Sequence, residues 1–269
     1  MGKKNHIIYT GDCLEIMKKL PSETIDLIFT DPPYNQKIPY IKKYFIDNKK
    51  LPDYLNWLAS RLREMNRVLK PTGTLYLMNY PELNARLLPF LEDELKMILR
   101  RWIVWHYPTN VGHSKKNWTR SHRSILFLTK GENYTFNKNH IIQPYKNPDV
   151  GKIKKRIAEG NKGRGSYDTL NFKDILEILE MSGGETDVIK QNLLKNVRKE
   201  RKAGHSCQLP PELIEIFIKV SSNPGDIVLD PFAGTFTTSM IAKKLERKSI
   251  GIEISKKYVL FGKSRLSEI

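Results

Sequence analysis

The apolar run Ile25-Asp26-Leu27-Ile28-Phe29 stops at Asp31-Pro32-Pro33-Tyr34, and no other stretch constrains the fold as strongly. A short apolar run closed by turn residues suits a strand buried on both faces, as in the centre of a parallel sheet. Two successive prolines fix φ and give no amide to a ladder, so the strand ends there. Asp31 precedes a proline and is held extended. The product is a stiff corner at the carboxyl end of a central strand, where open α/β sheets bind their ligands. It offers a carboxylate, the Pro32 carbonyl and an aromatic ring. Such a set fits a planar ring carrying an exocyclic amine, whose lone pair is delocalised and poorly nucleophilic. Two acceptors take its N–H bonds and turn the lone pair toward an electrophile, while Tyr34 stacks on the ring. An ordinary Asp-Pro-Pro loop with a surface tyrosine is the alternative.

A second corner of this kind lies near the other end of the chain. Ile227-Val228-Leu229 reads as a buried strand running into Asp230-Pro231-Phe232-Ala233-Gly234-Thr235. A helix from about Thr237 to Leu245 and a strand over Ser249–Ile254 follow, with Glu253 near the strand's end. Strand, glycine-containing turn, helix and acid-ended strand make half of a nucleotide-binding fold. Glu253, roughly 20 residues past the turn, is spaced to accept from ribose hydroxyls. The glycine pattern is incomplete for a pyrophosphate and no Walker-type Lys-Ser/Thr follows, so a nucleoside without phosphates fits better. The alternative is a plain βαβ unit with Asp230 and Glu253 on its surface. His6–Thr10 reads as another strand, followed by Gly11-Asp12-Cys13 and a helix over Leu14–Leu20. Asp12 there either caps that helix or reaches a ligand.

Between the corners, Pro52–Lys70 predicts a helix with Tyr54, Leu55, Leu58, Leu62, Met65 and Leu69 on one face. Trp57 reads as a packing residue. Thr74–Met78, Arg101–Trp105 and Ser124–Thr129 read as strands, and a helix runs from Pro81 to about Ile98. Pro210–Val220 reads as an amphipathic helix. A chain of 269 residues accommodates one such domain and a smaller appended part.

The formal net charge is +17, which calls for a polyanionic partner, most simply nucleic acid. Lys37, Lys42 and Lys43 interleave with tyrosines after the first corner. Thr109–Arg123 is a connector carrying His113, Lys115, Lys116, Arg120 and Arg123, which suits phosphate contacts. Both stretches otherwise read as solvated loops. Asn137 to about Gly204 changes character and is rich in Lys, Arg, Asn and Gly, with short helices over Phe172–Met181 and Val188–Val197. It reads as an insertion outside the main sheet, either a recognition module or a solvated linker. His106, His113 and His122 lack companion ligands at workable spacing, so no metal is expected. Cys13 and Cys207 suggest neither a disulfide framework nor zinc, and with no signal peptide or membrane-length apolar run the interior of a cell, the cytoplasm, is expected.

Taken together and in this order, Asp31-Pro32-Pro33-Tyr34 and Asp230-Pro231-Phe232-Ala233-Gly234-Thr235 resemble the catalytic motif and cofactor loop of the β-class S-adenosylmethionine-dependent DNA amino-methyltransferases. The resemblance covers nearly all of the chain outside the insertion. It implies a doubly wound α/β fold with a mostly parallel sheet of about seven strands. Residues 1–136 and 205–269 would form the catalytic and cofactor-binding halves of one core. Residues 137–204 would be a small, largely helical target-recognition insert on the cofactor-and-catalysis edge. Asp31, Pro32, Pro33 and Tyr34 would be catalytic. Phe232 and Gly234 would line the methionine side of the cofactor, and Glu253 would hold its ribose. Asp12, with Cys13 beside it, would reach the adenine. Asp31, Asp230 and Thr235 would complete the surroundings, and His205 and Gln208 would close over the amino-acid end. The family loop has a second glycine where this chain has Phe236, and Pro and Lys where it has Ser206 and Leu209. Asp in the first position of the catalytic motif mostly accompanies N6 of adenine in this family, and Ser mostly N4 of cytosine. The implied partner is double-stranded DNA, with a cognate restriction endonuclease acting separately on the same site, in a monomer or homodimer. A cytosine-N4 enzyme, an RNA methyltransferase and a catalytically inactive DNA-binding homologue are the alternatives.

Overall fold

The computed structural model describes residues 5–35, 49–106, 116–182 and 209–268. Strands β1 (His6–Thr10), β2 (Ile25–Thr30), β3 (Leu69–Asn79), β4 (Ile98–His106), β5 (His122–Thr129), β8 (Thr169–Leu170), β9 (Ile227–Asp230) and β10 (Lys248–Glu253) form one sheet. Its order is β1-β10-β9-β2-β3-β5-β4-β8. All neighbours are parallel except at β5, which runs antiparallel between β3 and β4. A separate two-stranded ladder joins β6 (Ile142–Gln143) to β7 (Arg164–Gly165).

Period-two alternation explains why the sheet is buried on both faces. Ile28, Leu75, Leu77, Leu126 and Leu128 face one core with α1 (Cys13–Met17), α2 (Leu51–Val68) and α3 (Pro81–Pro89). Leu27, Phe29, Tyr76, Met78, Ile125 and Phe127 face the other. That second layer holds α5 (Phe172–Met181), α6 (Pro211–Ser221) and α7 (Thr237–Lys244). Because β1, β10, β9, β2 and β3 are parallel, their carboxyl ends share one edge. The register keeps the corners level, with Thr10 opposite Glu253, Gly251 opposite Asp230 and Thr30 opposite Leu77.

Several boundaries differ from the sequence expectation. The helix predicted over residues 81–98 breaks after Pro89 into a π turn, Phe90–Glu94, because Pro89 cannot donate into the ladder. Strand β3 begins at Leu69, well before Thr74, since Leu69 pairs with Ile25 and the Lys70 ammonium holds Asp26 at 2.5 Å. The expectation that the whole of 137–204 stands outside the sheet is corrected. Within it, β8 pairs with β4, and α5 buries Ile175, Ile178 and Leu179 in the second core. The start of this segment is tied away from the edge that carries Asp31 and Glu253: the Asn137 side-chain amide donates to the carbonyls of Lys219 and Ser222, at the C-terminal end of α6. Two further helices were not anticipated, α4 (Gly151–Ala158) and α8 (Lys256–Ser267). The helix expected over Val188–Val197 lies outside the described residues.

Candidate active site

The first corner sits at the end of β2 and is braced from two sides. The Tyr54 hydroxyl of α2 donates to the Pro33 carbonyl at 2.9 Å. The Asn79 side chain at the end of β3 donates to that hydroxyl and accepts from the Tyr80 amide. Within the corner, the Tyr34 hydroxyl donates to the Asp31 carboxylate. Asp31 is half-buried, and desolvation pushes its carboxyl up to about 7, against the opposing effects of the Tyr34 hydrogen bond and the Arg123 guanidinium. The Asp230 carboxyl is close enough to raise it further. Tyr34 is itself only 5% exposed. Tyr80 packs on its ring at 4.7 Å between centroids, and the Arg123 guanidinium lies 5.0 Å from the same ring.

The second corner follows β9, the neighbour of β2. The Asp230 carboxylate accepts from the Phe232 amide at 3.1 Å and the Thr238 hydroxyl at 2.7 Å, so it shapes its own loop. Burial pushes it up to about 6. Glu253, at the end of β10, accepts from the Gly234 amide at 2.9 Å and the Ser255 amide at 2.8 Å. A carboxylate has about four lone-pair sites, so acceptor capacity remains for a ligand. Its carboxyl is also raised to about 7, chiefly by burial. Gly234 has φ +49°, a left-handed conformation that lets bare backbone approach a ligand. Thr235 is buried.

Phe236 answers the departure from the family pattern. It adopts φ +61°, the left-handed conformation a glycine would take there. Its ring is wholly buried between two glycines. A Cβ on Gly251 of β10 would lie 2.6 Å from the ring, and one on Gly262 of α8 would lie 2.1 Å from it. The strain of a non-glycine left-handed residue, about 1–2 kcal/mol, is offset by burying the phenyl group in that slot.

Asp12 does two structural jobs. It caps α1 through the Leu14 amide at 2.8 Å and pairs with Arg61 of α2 at 2.6 Å. Arg61 lies over Trp57, whose ring packs 5.7 Å from Phe232. Trp57 thus packs on the core and against the loop that follows β9. Cys13 is buried in the core, its thiol pushed up to about 12 by burial. Of the predicted nucleic-acid contacts, Lys116 is exposed beside Trp118, which is 94% exposed. Arg120 instead grips Glu82 and lies 3.7 Å from the Tyr80 ring, and Arg123 lies over the Tyr34 and Tyr80 rings at the Asp31 corner. Lys37, Lys42, Lys43, His113, Lys115, His205 and Gln208 lie outside the described residues. Tyr54, Asn79, Tyr80 and Arg61 were missed, because contacts between distant segments leave no local pattern. The Asn79-Tyr80 dipeptide at a strand end was the available signal. Among the described residues no His, Cys, Asp and Glu cluster could hold a metal ion, and no helix is long and apolar enough to cross a membrane.

A doubly wound sheet with an amine-accepting corner beside a nucleoside-type loop defines a methyltransferase architecture. Residues 25–263 match the family model described as DNA methylase, with N6 and N4 in its name, and the chain belongs to that family. It is similar to the DNA adenine methyltransferase YhdJ of Escherichia coli K12, with 35% identity across 98% of this chain and 84% of that one. It is also similar to the type II methyltransferase M.BglII of Bacillus subtilis, with 32% identity across 95% of this chain and 68% of that one. In fold it resembles the cytosine-N4-specific PvuII DNA methyltransferase, with a TM-score of 0.66 at 20% identity, covering 98% of this chain and 88% of that one.

Proposed function

We propose that this DNA methyltransferase moves the methyl group of S-adenosylmethionine to the N6 amine of an adenine rotated out of duplex DNA. The observation that carries the reading is the adjacency of Asp31-Pro32-Pro33-Tyr34 on β2 and the Asp230–Thr235 loop on β9, neighbouring parallel strands ending on one edge. The residues fit the cofactor: Glu253 has spare acceptors for ribose hydroxyls, and Gly234 exposes backbone beside half-buried Phe232. When bound, S-adenosylmethionine supplies an electrophilic methyl on a sulfonium. Asp31 and the Pro32 carbonyl accept from the target amine and stabilise positive charge developing on it. Rotating a base out costs a few kcal/mol, and stacking on Tyr34 recovers part of that. The base then displaces the Arg123 guanidinium from the Tyr34 ring, freeing it for the nucleotide's phosphate. Lys116 and Trp118 would meet the duplex outside the pocket. Adenine is favoured over cytosine by Asp31 in the first position and by the 35% identical relative's name. Incubation of the protein with plasmid DNA and the cofactor, followed by base-resolved mapping, tests the reading. Modified adenines within one recurring sequence are expected.

Two further outcomes follow from the geometry. Glu253→Gln should weaken S-adenosylmethionine on the order of tenfold in calorimetry, since a charge-assisted acceptor is lost. In the unaltered protein the affinity should fall as pH drops through about 7, where Glu253 takes up a proton and loses its acceptor charge. The Gln variant should lack that dependence.

Tyr34→Ala should lower both base flipping and turnover. Tyr34→Phe keeps the stacking face but removes the hydroxyl that donates to Asp31. The Phe variant should therefore retain activity at alkaline pH, with the acidic limb of its rate profile moved upward, because the lost hydrogen bond had favoured ionised Asp31.

A further inference from the structure

The hydrogen bond from the Tyr34 hydroxyl to the Asp31 carboxylate bridges a stretch of backbone with little freedom. Proline fixes φ at positions 32 and 33. Asp31 and Pro32 each precede a proline, which restricts their ψ. With planar peptides, ψ of Pro33 is the one soft torsion left between Asp31 and the Tyr34 amide. That torsion swings the Pro33 carbonyl, and the Tyr54 hydroxyl of α2 holds this carbonyl at 2.9 Å. On the far side of Tyr34, Asn35 takes φ +58°. Its side chain donates to the Lys49 carbonyl at 2.8 Å and accepts from the Lys49 amide at 2.7 Å, just ahead of α2. The backbone is therefore held both before and after Tyr34.

Asn79 in turn orients the Tyr54 hydroxyl, and the direction of every proton follows from the two ends of the chain of bonds. The Tyr80 amide can only donate, and it gives to Asn79 Oδ1 at 2.8 Å. This turns Asn79 Nδ2 toward Tyr54 Oη, to which it donates at 3.3 Å. A phenol has one proton, and the Pro33 carbonyl, which can only accept, receives it. A side-chain amide, donor at one end and acceptor at the other, is what completes this chain. Tyr54 and Asn79 are wholly buried, so a broken link leaves a polar group unsatisfied away from water. The Asn79 backbone is pinned as well: its carbonyl accepts from Ser124 Oγ at 3.2 Å, and Ser124 Oγ accepts from Asn84 Nδ2 at 2.9 Å. The amide that steadies Tyr54 also places Tyr80, whose ring packs on that of Tyr34 at 4.7 Å. We propose that Tyr54 and Asn79 are positioning residues for the reaction at Asp31. By holding the Pro33 carbonyl they set the torsion that delivers the Tyr34 hydroxyl to Asp31, and they steady the ring on which the target base stacks. Their role in a reaction rests on the DNA-methyltransferase reading.

The test removes a single oxygen. Tyr54→Phe should raise the pH midpoint of the Asp31 carboxyl by about 0.5–1, because the Tyr34 hydroxyl that favours its ionised form is no longer held in place. Arg123 and Asp230, the other charged groups facing Asp31, are unchanged in this variant. The carboxyl is followed by its carbon-13 resonance, assigned by its loss in Asp31→Asn. Tyr34→Phe should raise the midpoint at least as far, and adding Tyr54→Phe to it should raise it no further. Asn79→Leu, similar in volume but without either amide end, should move the midpoint in the same direction as Tyr54→Phe. A lower Tm with an unmoved midpoint in both variants would make the pair merely structural and overturn the proposal. Additive shifts in the double variant would overturn it too, since Tyr54 would then act on Asp31 by a path other than Tyr34. On DNA, Tyr54→Phe should slow single-turnover methyl transfer by roughly 10–10²-fold while S-adenosylmethionine affinity stays within about twofold. Unslowed transfer beside a moved midpoint would overturn the role in the reaction. The titration needs neither DNA nor cofactor, so failure of the unaltered protein to methylate DNA would count against the methyltransferase reading alone.

Discussion

Asp31→Ala is expected to lower methyl transfer by about 10²–10³-fold or more, the scale for losing one preorganised electrostatic contact at the reacting centre. Affinity for S-adenosylmethionine should stay within about threefold, since the carboxylate that faces the ribose in this account is Glu253. Full activity in the variant would remove Asp31 from the mechanism. Its environment gives a second readout. Burial pushes Asp31 from 3.8 in the reference state up to about 7 in the folded protein. The folded state therefore binds the proton more tightly, and its advantage, complete below about 4, is lost as pH rises through about 7. At pH 8 the desolvated carboxylate is ionised and opposes folding. Asp31→Asn should consequently raise Tm at pH 8 and leave it nearly unchanged at pH 4, while abolishing turnover. A stability gain at the cost of activity marks a carboxylate kept for chemistry.

Gly262→Ala should destabilise the fold by about 3 kcal/mol, or roughly 6–12 °C in Tm, by overpacking the slot that holds Phe236. The new methyl would sit 2.1 Å from a ring carbon that has nowhere to move, because Gly251 abuts the ring from β10. Phe236→Ala should cost a similar amount through the cavity it leaves. The combination should cost clearly less than the sum, with a coupling of at least about 1 kcal/mol, since the smaller side chain makes room for the methyl. Strict additivity would mean that the ring and the two glycines are not one packed unit. Cofactor affinity should fall in Gly262→Ala as well, because Phe236 fixes the path of the Gly234-Thr235 turn.

Much of the sheet was legible because its strands are apolar on both faces and end in proline or glycine corners. Ile25–Phe29 and Ile227–Leu229 needed no tertiary information. Helix α5 was placed at its true limits, since Ile175, Ile178 and Leu179 repeat at helical spacing. Helix α8 was not, for it leaves Leu260 and Phe261 exposed and buries only Val259 and Gly262, so its apolar stripe is faint. Strand β8 is two residues long, too short for any alternation to register. In the site, chemistry-bearing residues at strand ends were readable, among them Asp31, Tyr34 and Glu253. Their supports were not. Tyr54, Tyr80 and Arg123 reach the Asp31 corner across helices and strands, Arg61 reaches Asp12 from α2, and Arg123 looked like a phosphate contact because its neighbours in sequence are basic.

The central claim is that an amine of a DNA base receives the methyl group at the Asp31 corner, with adenine as the base. Duplex DNA treated with the protein and S-adenosylmethionine, digested to nucleosides and separated by mass spectrometry, tests it most directly. N6-methyldeoxyadenosine as the sole new nucleoside, formed at least about a hundredfold more slowly by the Asp31→Ala protein, is the expected result. N4-methyldeoxycytidine alone would contradict the choice of base, and an undiminished methylated product from the Asp31→Ala protein would contradict the mechanism.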